Sequence, residues 1–202
     1  MIITYILSRQ DYPDSMQMLG YIPDDWRRTF GFTTITSFLT HSNFWHLFGN
    51  CYFLLIFGDN VENEIGKVKY VFLILGAHFT GLLLHTLLDP IGSTPLVGAS
   101  AGISGIIAFY CIAYPKQKIS WVIRFWFYFY KIKFHAWLYL VLWLLMQFFI
   151  AYRQIAGRSN ISALAHLGGV LVGIIAVTIF KHNKRNLPKK KTAKDYKNAI
   201  IS

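Results

Sequence analysis

The sequence predicts an all-α, polytopic membrane helix bundle, and three observations carry that prediction. Of its 202 residues, 54% are hydrophobic and only 14% charged, an apolar excess over ordinary soluble domains. The apolar residues are gathered into runs of the roughly 20 residues that a helix needs to cross hydrocarbon. The lysines and arginines fall between those runs and favour alternate loops.

Five spans follow, at about 44–61, 68–88, 97–114, 134–152 and 162–180. The first is rich in Phe and Leu and carries His46 and Asn50 near its start. The second runs from Val68 to Leu88 and carries His78 and His85, seven apart on one face. The third starts in glycine-rich sequence and continues as ISGIIAFYCIAY. The fourth, FHAWLYLVLWLLMQFFIAY, and the fifth, ISALAHLGGVLVGIIAVTIF, are the clearest. Residues 1–8, MIITYILS, read as the end of a further first span that is largely missing; they lack the basic start and small-residue cleavage site of a signal peptide. The stretch Trp121 to Phe134 is aromatic and basic, and Arg124 and Lys131 interrupt it, so it reads as an interfacial helix rather than a span. The chain thus divides into an N-terminal remnant and outer loop (1–43), a membrane domain (44–180) and a basic tail (181–202).

Charge orients the set. Eight of the basic residues, from Lys181 to Lys197, follow the last span. A basic tail beside a span is an anchor at anionic cytoplasmic headgroups, so the net charge of +11 does not point to nucleic acid. With the tail inside, the loop bearing Lys116, Lys118, Arg124, Lys131 and Lys133 is also inside, as are Lys67 and Lys69. The loop 89–96, without Lys or Arg, lies outside together with Arg153 and Arg158.

That orientation puts four polar side chains from three spans at one depth near the outer face: Ser100, His166, His46 and Asn50. A serine hydroxyl becomes a nucleophile when a base takes its proton, and a neutral imidazole at His166 can take it and return it to a leaving amine. Asp89, in the outer loop, is the nearest acid, so the pattern is a Ser-His dyad; a buried carboxylate in lipid is costly. His46 and Asn50, four apart on one helix face, offer N–H groups to an oxyanion. Small residues at four-residue spacing, Gly98/Gly102 and Ala101/Gly105 in the third span and Ala165, Gly169 and Gly173 in the fifth, allow close helix approach. A zinc site on His41, His46 and His166 lacks an HExxH pattern and a nearby carboxylate. Cys51 and Cys111 have no ligand spacing and read as small buried hydrophobes.

With these residues in view, the chain resembles the rhomboid family of intramembrane serine proteases over roughly residues 30–180. His41 to Asn50 is similar to the family's HxxxxHxxxN, Gly58 to Gly66 to GxxVExxxG, Gly98-Ala99-Ser100 to GxS, and Ala165 to Gly173 to AHxxGxxxG. The resemblance implies Ser100 as nucleophile, His166 as base, His46 and Asn50 in the oxyanion hole, and no metal or cofactor. It implies a partner that is a single-span membrane protein, cleaved near its outer end. Some members carry an aromatic four residues after the serine that stacks on the histidine; here that position is Ser104. An inactive rhomboid-like protein that binds membrane clients is the alternative. A channel would spread polar groups through the whole bilayer depth, whereas here they cluster. Short outer loops and lone thiols point to a bacterial inner membrane, with the C-terminus cytoplasmic.

Overall fold

A computed structural model describes residues 12–125, 128–159 and 161–186. The expectations for residues 1–8 and for the tail beyond residue 186 lie outside the described residues. The chain forms a helical bundle, as its apolar runs require. Among the described residues, three helices are long and apolar enough to cross a membrane: Lys67–Leu88, Ala136–Ile155 and Ala163–Lys181.

The N-terminal region is a short helix α1 (Tyr12–Leu19), a 3-10 turn (Arg28–Gly31) and α2 (Thr33–Leu39). It is pinned to the loop that follows the second span. Tyr21 N–H donates to Leu96 O at 2.9 Å and Leu96 N–H to Tyr21 O at 2.7 Å. Thr36 Oγ1 donates to Leu19 O at 2.7 Å.

The first predicted span is a helical run in three parts: α3 (Phe44–Phe53), a π turn (Leu54–Gly58) and α4 (Asp59–Ile65). Asn43 caps α3 by accepting the His46 N–H at 2.8 Å, which satisfies one of the donors a helix start leaves open. Gly66 ends α4 with a φ of +83°, a conformation that glycine adopts without a Cβ penalty. The second, fourth and fifth spans are α5 (Lys67–Leu88), α7 (Ala136–Ile155) and α8 (Ala163–Asn186); the second lies within one residue of expectation, and the other two differ from it by a few residues.

The third span is different. Helix α6 (Ser100–Ala113) has 14 residues, too few to cross hydrocarbon alone. It sits in the middle of the bundle, with ten residues buried, among them Ile103, Ile106, Ile107, Phe109 and Cys111. A helix apolar on all faces is one surrounded by protein. Its neighbours in the core include Phe57, Val61, Leu73, Tyr139 and Val177.

Backbones meet closely where the small residues lie. A methyl group added to Gly169 would stand 1.9 Å from Ala101 O, and one on Gly173 would stand 2.3 Å from Gly105 O. One on Gly81 of α5 would meet Ala165 O at 2.5 Å. The α6–α8 contact therefore uses the Ala101/Gly105 step. Gly102 turns instead to α5, where a methyl group would meet Ile74 O at 2.6 Å, and Gly98 precedes the helix altogether.

One element corrects the expectation. Residues 118–135 form an antiparallel hairpin, β1 (Lys118–Phe125) and β2 (Tyr128–His135), in place of an interfacial helix. The register opposes Ile119 to Phe134, Trp121 to Ile132 and Ile123 to Tyr130. The reason is in the residue types: Ile119, Trp121, Ile123 and Phe125 alternate with Lys118, Ser120, Val122 and Arg124, of which only Val122 is apolar. That is a period of two, and β-branched and aromatic residues favour a pleated surface.

Candidate active site

Ser100 is the first residue of α6. Its N–H and those of Ala101 and Gly102 belong to the first turn, where no carbonyl of the same helix lies behind them. The positive end of the peptide dipoles points the same way. Gly98 leads in with a φ of +108°, and its N–H donates to Ser37 O at 2.8 Å.

His166 lies about one turn into α8, with its N–H on Ser162 O at 3.3 Å. Close passage of α6 against α8 brings its ring to the serine: Ser100 Oγ and His166 Nε2 are 2.7 Å apart. On the far side of the ring, His166 Nδ1–H donates to Gln147 Oε1 at 2.8 Å. An amide carbonyl only accepts. With the Gln147 amide in this orientation the proton is on Nδ1, and the Nε2 lone pair faces the serine hydroxyl, the arrangement a general base requires. Trp143, one turn before Gln147 on α7, lies against the same imidazole with ring centroids 6.2 Å apart and planes tilted by 37°. An aromatic partner thus comes from another helix, while Ser104 Oγ donates to Ser100 O at 2.7 Å.

His46 and Asn50 reach the same place from α3. A methyl group on Gly98 would stand 2.6 Å from His46 Nε2 and 3.4 Å from Asn50 Nδ2. Both nitrogens therefore flank the backbone just ahead of Ser100, and only glycine leaves room for them. The His46 tautomer is set from behind. Ser42 N–H lies 3.4 Å from His46 Nδ1 and Ser42 Oγ lies 3.0 Å from it. A backbone N–H only donates, so Nδ1 accepts and Nε2 carries the proton. Asn50 is 5% exposed, and its Nδ2 has no hydrogen-bond partner among the described residues. An unpaired buried donor costs free energy; here it stands available to a ligand oxygen.

Two cavities meet at this pair. One of about 650 Å³ opens past Ser42, Asn43, Thr94 and Pro95. The other, of about 720 Å³, lies between α3 and α7 and is lined by Trp45, Phe53, Leu142, Trp143 and Met146. His46, Ser100 and His166 line both.

All four side chains expected to act together are thus gathered. Three further histidines, His41, His78 and His85, hold neighbouring segments together. His41 Nδ1–H donates to Leu39 O at 3.0 Å, and its ring meets that of His46 edge to face at 5.1 Å. His78 Nε2–H donates to Thr34 O at 2.9 Å, tying α5 to α2. His85 Nδ1 accepts from Ser162 Oγ at 2.8 Å and Gln154 Nε2 at 3.2 Å, tying α5 to the start of α8 and the end of α7. No group of three or more His, Cys, Asp or Glu side chains among the described residues is placed to hold a metal ion. Gln147, Trp143 and Ser42 were not anticipated. A signal for the first existed: Gln147 and Gln154 are seven apart on one face of an otherwise apolar helix.

Fold and site together define a helical integral membrane protein whose half-buried polar centre is a serine bonded to a histidine. The family model of the Rhomboid domain matches residues 26–183, and the chain belongs to the rhomboid family. A search of the curated proteins finds no match to this chain.

Proposed function

We propose that this chain is an intramembrane serine endopeptidase that cleaves single-span membrane proteins near the outer face of a bacterial inner membrane, its own C-terminus lying in the cytoplasm. One observation carries the reading above the rest. Ser100 Oγ stands 2.7 Å from the basic nitrogen of His166, while spare N–H donors stand beside the chain leading into that serine.

Ser100 Oγ attacks the scissile carbonyl as His166 Nε2 takes its proton. The oxygen of the tetrahedral intermediate accepts from Asn50 Nδ2–H, His46 Nε2–H and the Ser100 N–H. Donors fixed in advance in a site of low polarity are usually the largest single contribution to such a step. His166 passes the proton to the leaving amine. Water then releases the acyl group by the same route in reverse order, with His166 as base. The two cavities support a division of labour: the apolar one takes a membrane segment, and the polar-rimmed one admits water.

The test uses the full chain in detergent with a serine-directed fluorophosphonate and a synthetic single-span substrate. Labelling and cleavage are expected for the native chain and are lost in Ser100→Ala. Labelling that persists in Ser100→Ala removes Ser100 from its role. Absence of both in a folded native chain favours the rhomboid-like binder of membrane clients.

A further inference from the structure

We infer that Gln147 is the positioning residue of the catalytic histidine, a neutral third member that holds His166 in the tautomer and orientation the reaction needs. The inference rests on the reading of His166 as the base.

The first argument is cost. Gln147 lies in the middle of α7, and its side chain is 2% exposed. Burying an amide without partners is expensive, and a leucine at this position would fill the space more cheaply. The amide spends its carbonyl oxygen on one atom, His166 Nδ1, at 2.8 Å.

The second argument is direction. With the proton on Nδ1, Nε2 is the acceptor and the Ser100 hydroxyl is the donor. In the other neutral tautomer, Nδ1 would turn a lone pair toward the Gln147 oxygen, and Nε2–H would occupy the serine oxygen instead of relieving it of its proton. When Nε2 takes the serine proton, the Nδ1–H bond to Gln147 also becomes a bond from a cation, which is stronger than a neutral one. Gln147 therefore acts most in the charged state. An amide supplies this without placing a permanent charge at membrane depth.

The third argument is the surrounding clamp. Trp143 stands one turn away on α7 and lies beside the same ring, tilted by 37° with centroids 6.2 Å apart. Gln154, two turns beyond Gln147 on the same face, holds the start of α8 in a different way. Its Oε1 accepts the Leu164 N–H at 3.5 Å, and its Nε2–H donates to His85 Nδ1. The face of α7 thus grips α8 at two heights, and only the Gln147 contact reaches the reacting atoms.

The experiment compares Gln147→Leu, Gln147→Glu and Gln154→Leu in the full chain. Cleavage of a single-span substrate is followed against pH, and the histidine tautomers are read by nitrogen NMR of histidine-labelled protein. Gln147→Leu is expected to lower kcat by about 10–100-fold, the range for removing an outer partner that orients a functional histidine, with KM little changed. The acid limb of its kcat/KM profile moves to lower pH by about one unit, the size of one lost hydrogen bond to a cation. Gln147→Glu restores part of kcat and moves that limb to higher pH. Gln154→Leu lowers thermal stability and leaves the acid limb in place. A folded Gln147→Leu whose acid limb and His166 tautomer match the native chain overturns the inference, whatever its stability. Labelling that survives Ser100→Ala overturns the functional reading instead; the NMR comparison still decides whether Gln147 sets the tautomer.

Discussion

Ser100 and His166 share a hydrogen bond of 2.7 Å across 66 residues of sequence, and glycine-to-carbonyl contacts between α6 and α8 make it possible. Gly169 lies against Ala101 O and Gly173 against Gly105 O, so no side chain separates the two backbones. The proposed catalytic pair is therefore a direct product of helix packing, and packing changes should be read in activity.

Gly169→Ala tests that coupling. The added methyl group would stand 1.9 Å from a backbone oxygen, which cannot rotate away. Overpacking of this kind typically costs about 1–3 kcal/mol, occasionally more, and the helices must part to relieve it. Thermal unfolding and fluorophosphonate labelling should both fall. Gly76→Ala is the control: its methyl group would meet only Val172 Cγ1 at an ordinary 3.8 Å. Its stability should be unchanged or slightly raised, since alanine is the better helix former. Equal behaviour of the two variants would refute the argument.

Asn50→Ala removes the unpartnered amide donor. Loss of one oxyanion donor typically costs about 10²–10³-fold in kcat. Because Nδ2 has no hydrogen-bond partner among the described residues, folding stability should change far less than kcat does. Steady-state cleavage and thermal unfolding of one preparation give both numbers. A large stability loss with unchanged kcat would mean that Asn50 holds helices together.

Ser42→Ala probes the tautomer of His46. The hydroxyl lies 3.0 Å from Nδ1, but the backbone N–H at 3.4 Å remains. One of two restraints is lost, so kcat should fall by about tenfold or less, the size of one neutral hydrogen bond. His46→Ala, which deletes the donor itself, should fall further. The prediction fails if the two variants are equally impaired.

His41, in the turn before α3, supplies a pH dependence of stability. Burial first, and the neighbouring His46 second, push its pKa down from 6.5 to about 4. Below pH 6.5 the unfolded chain takes up a proton there that the folded chain refuses. The stability contribution is complete above about pH 6.5, declines as the pH falls, and stops declining near pH 4. His41→Gln should flatten this part of the curve. Thermal unfolding in detergent at several pH values checks it, and parallel curves for native and variant chains would count against it.

Much of this was legible in the sequence. Long apolar runs dictate helices because lipid offers no partner to an open backbone. The four polar side chains at one depth followed from loop charge and span length. Three things were less open to reading. The hairpin at 118–135 was written in a period of two, but aromatic and basic residues suit an interfacial helix equally well, and only strand pairing separates the two. The shortness of α6 reflects its central position, which no local signal records. Gln147 stood in plain view as a polar residue in an apolar helix, yet sequence cannot say which neighbour it faces.

By itself, then, the sequence determined that this chain is a helical membrane protein and named Ser100, His166, His46 and Asn50. Residue type and spacing act locally, and those are local facts. Tertiary structure alone decided that α7 lends an amide and an indole to His166, that Gly98 yields its space to two donors, and that α6 is enclosed. Each depends on which helix faces which, and that is settled by close packing among segments far apart in the chain.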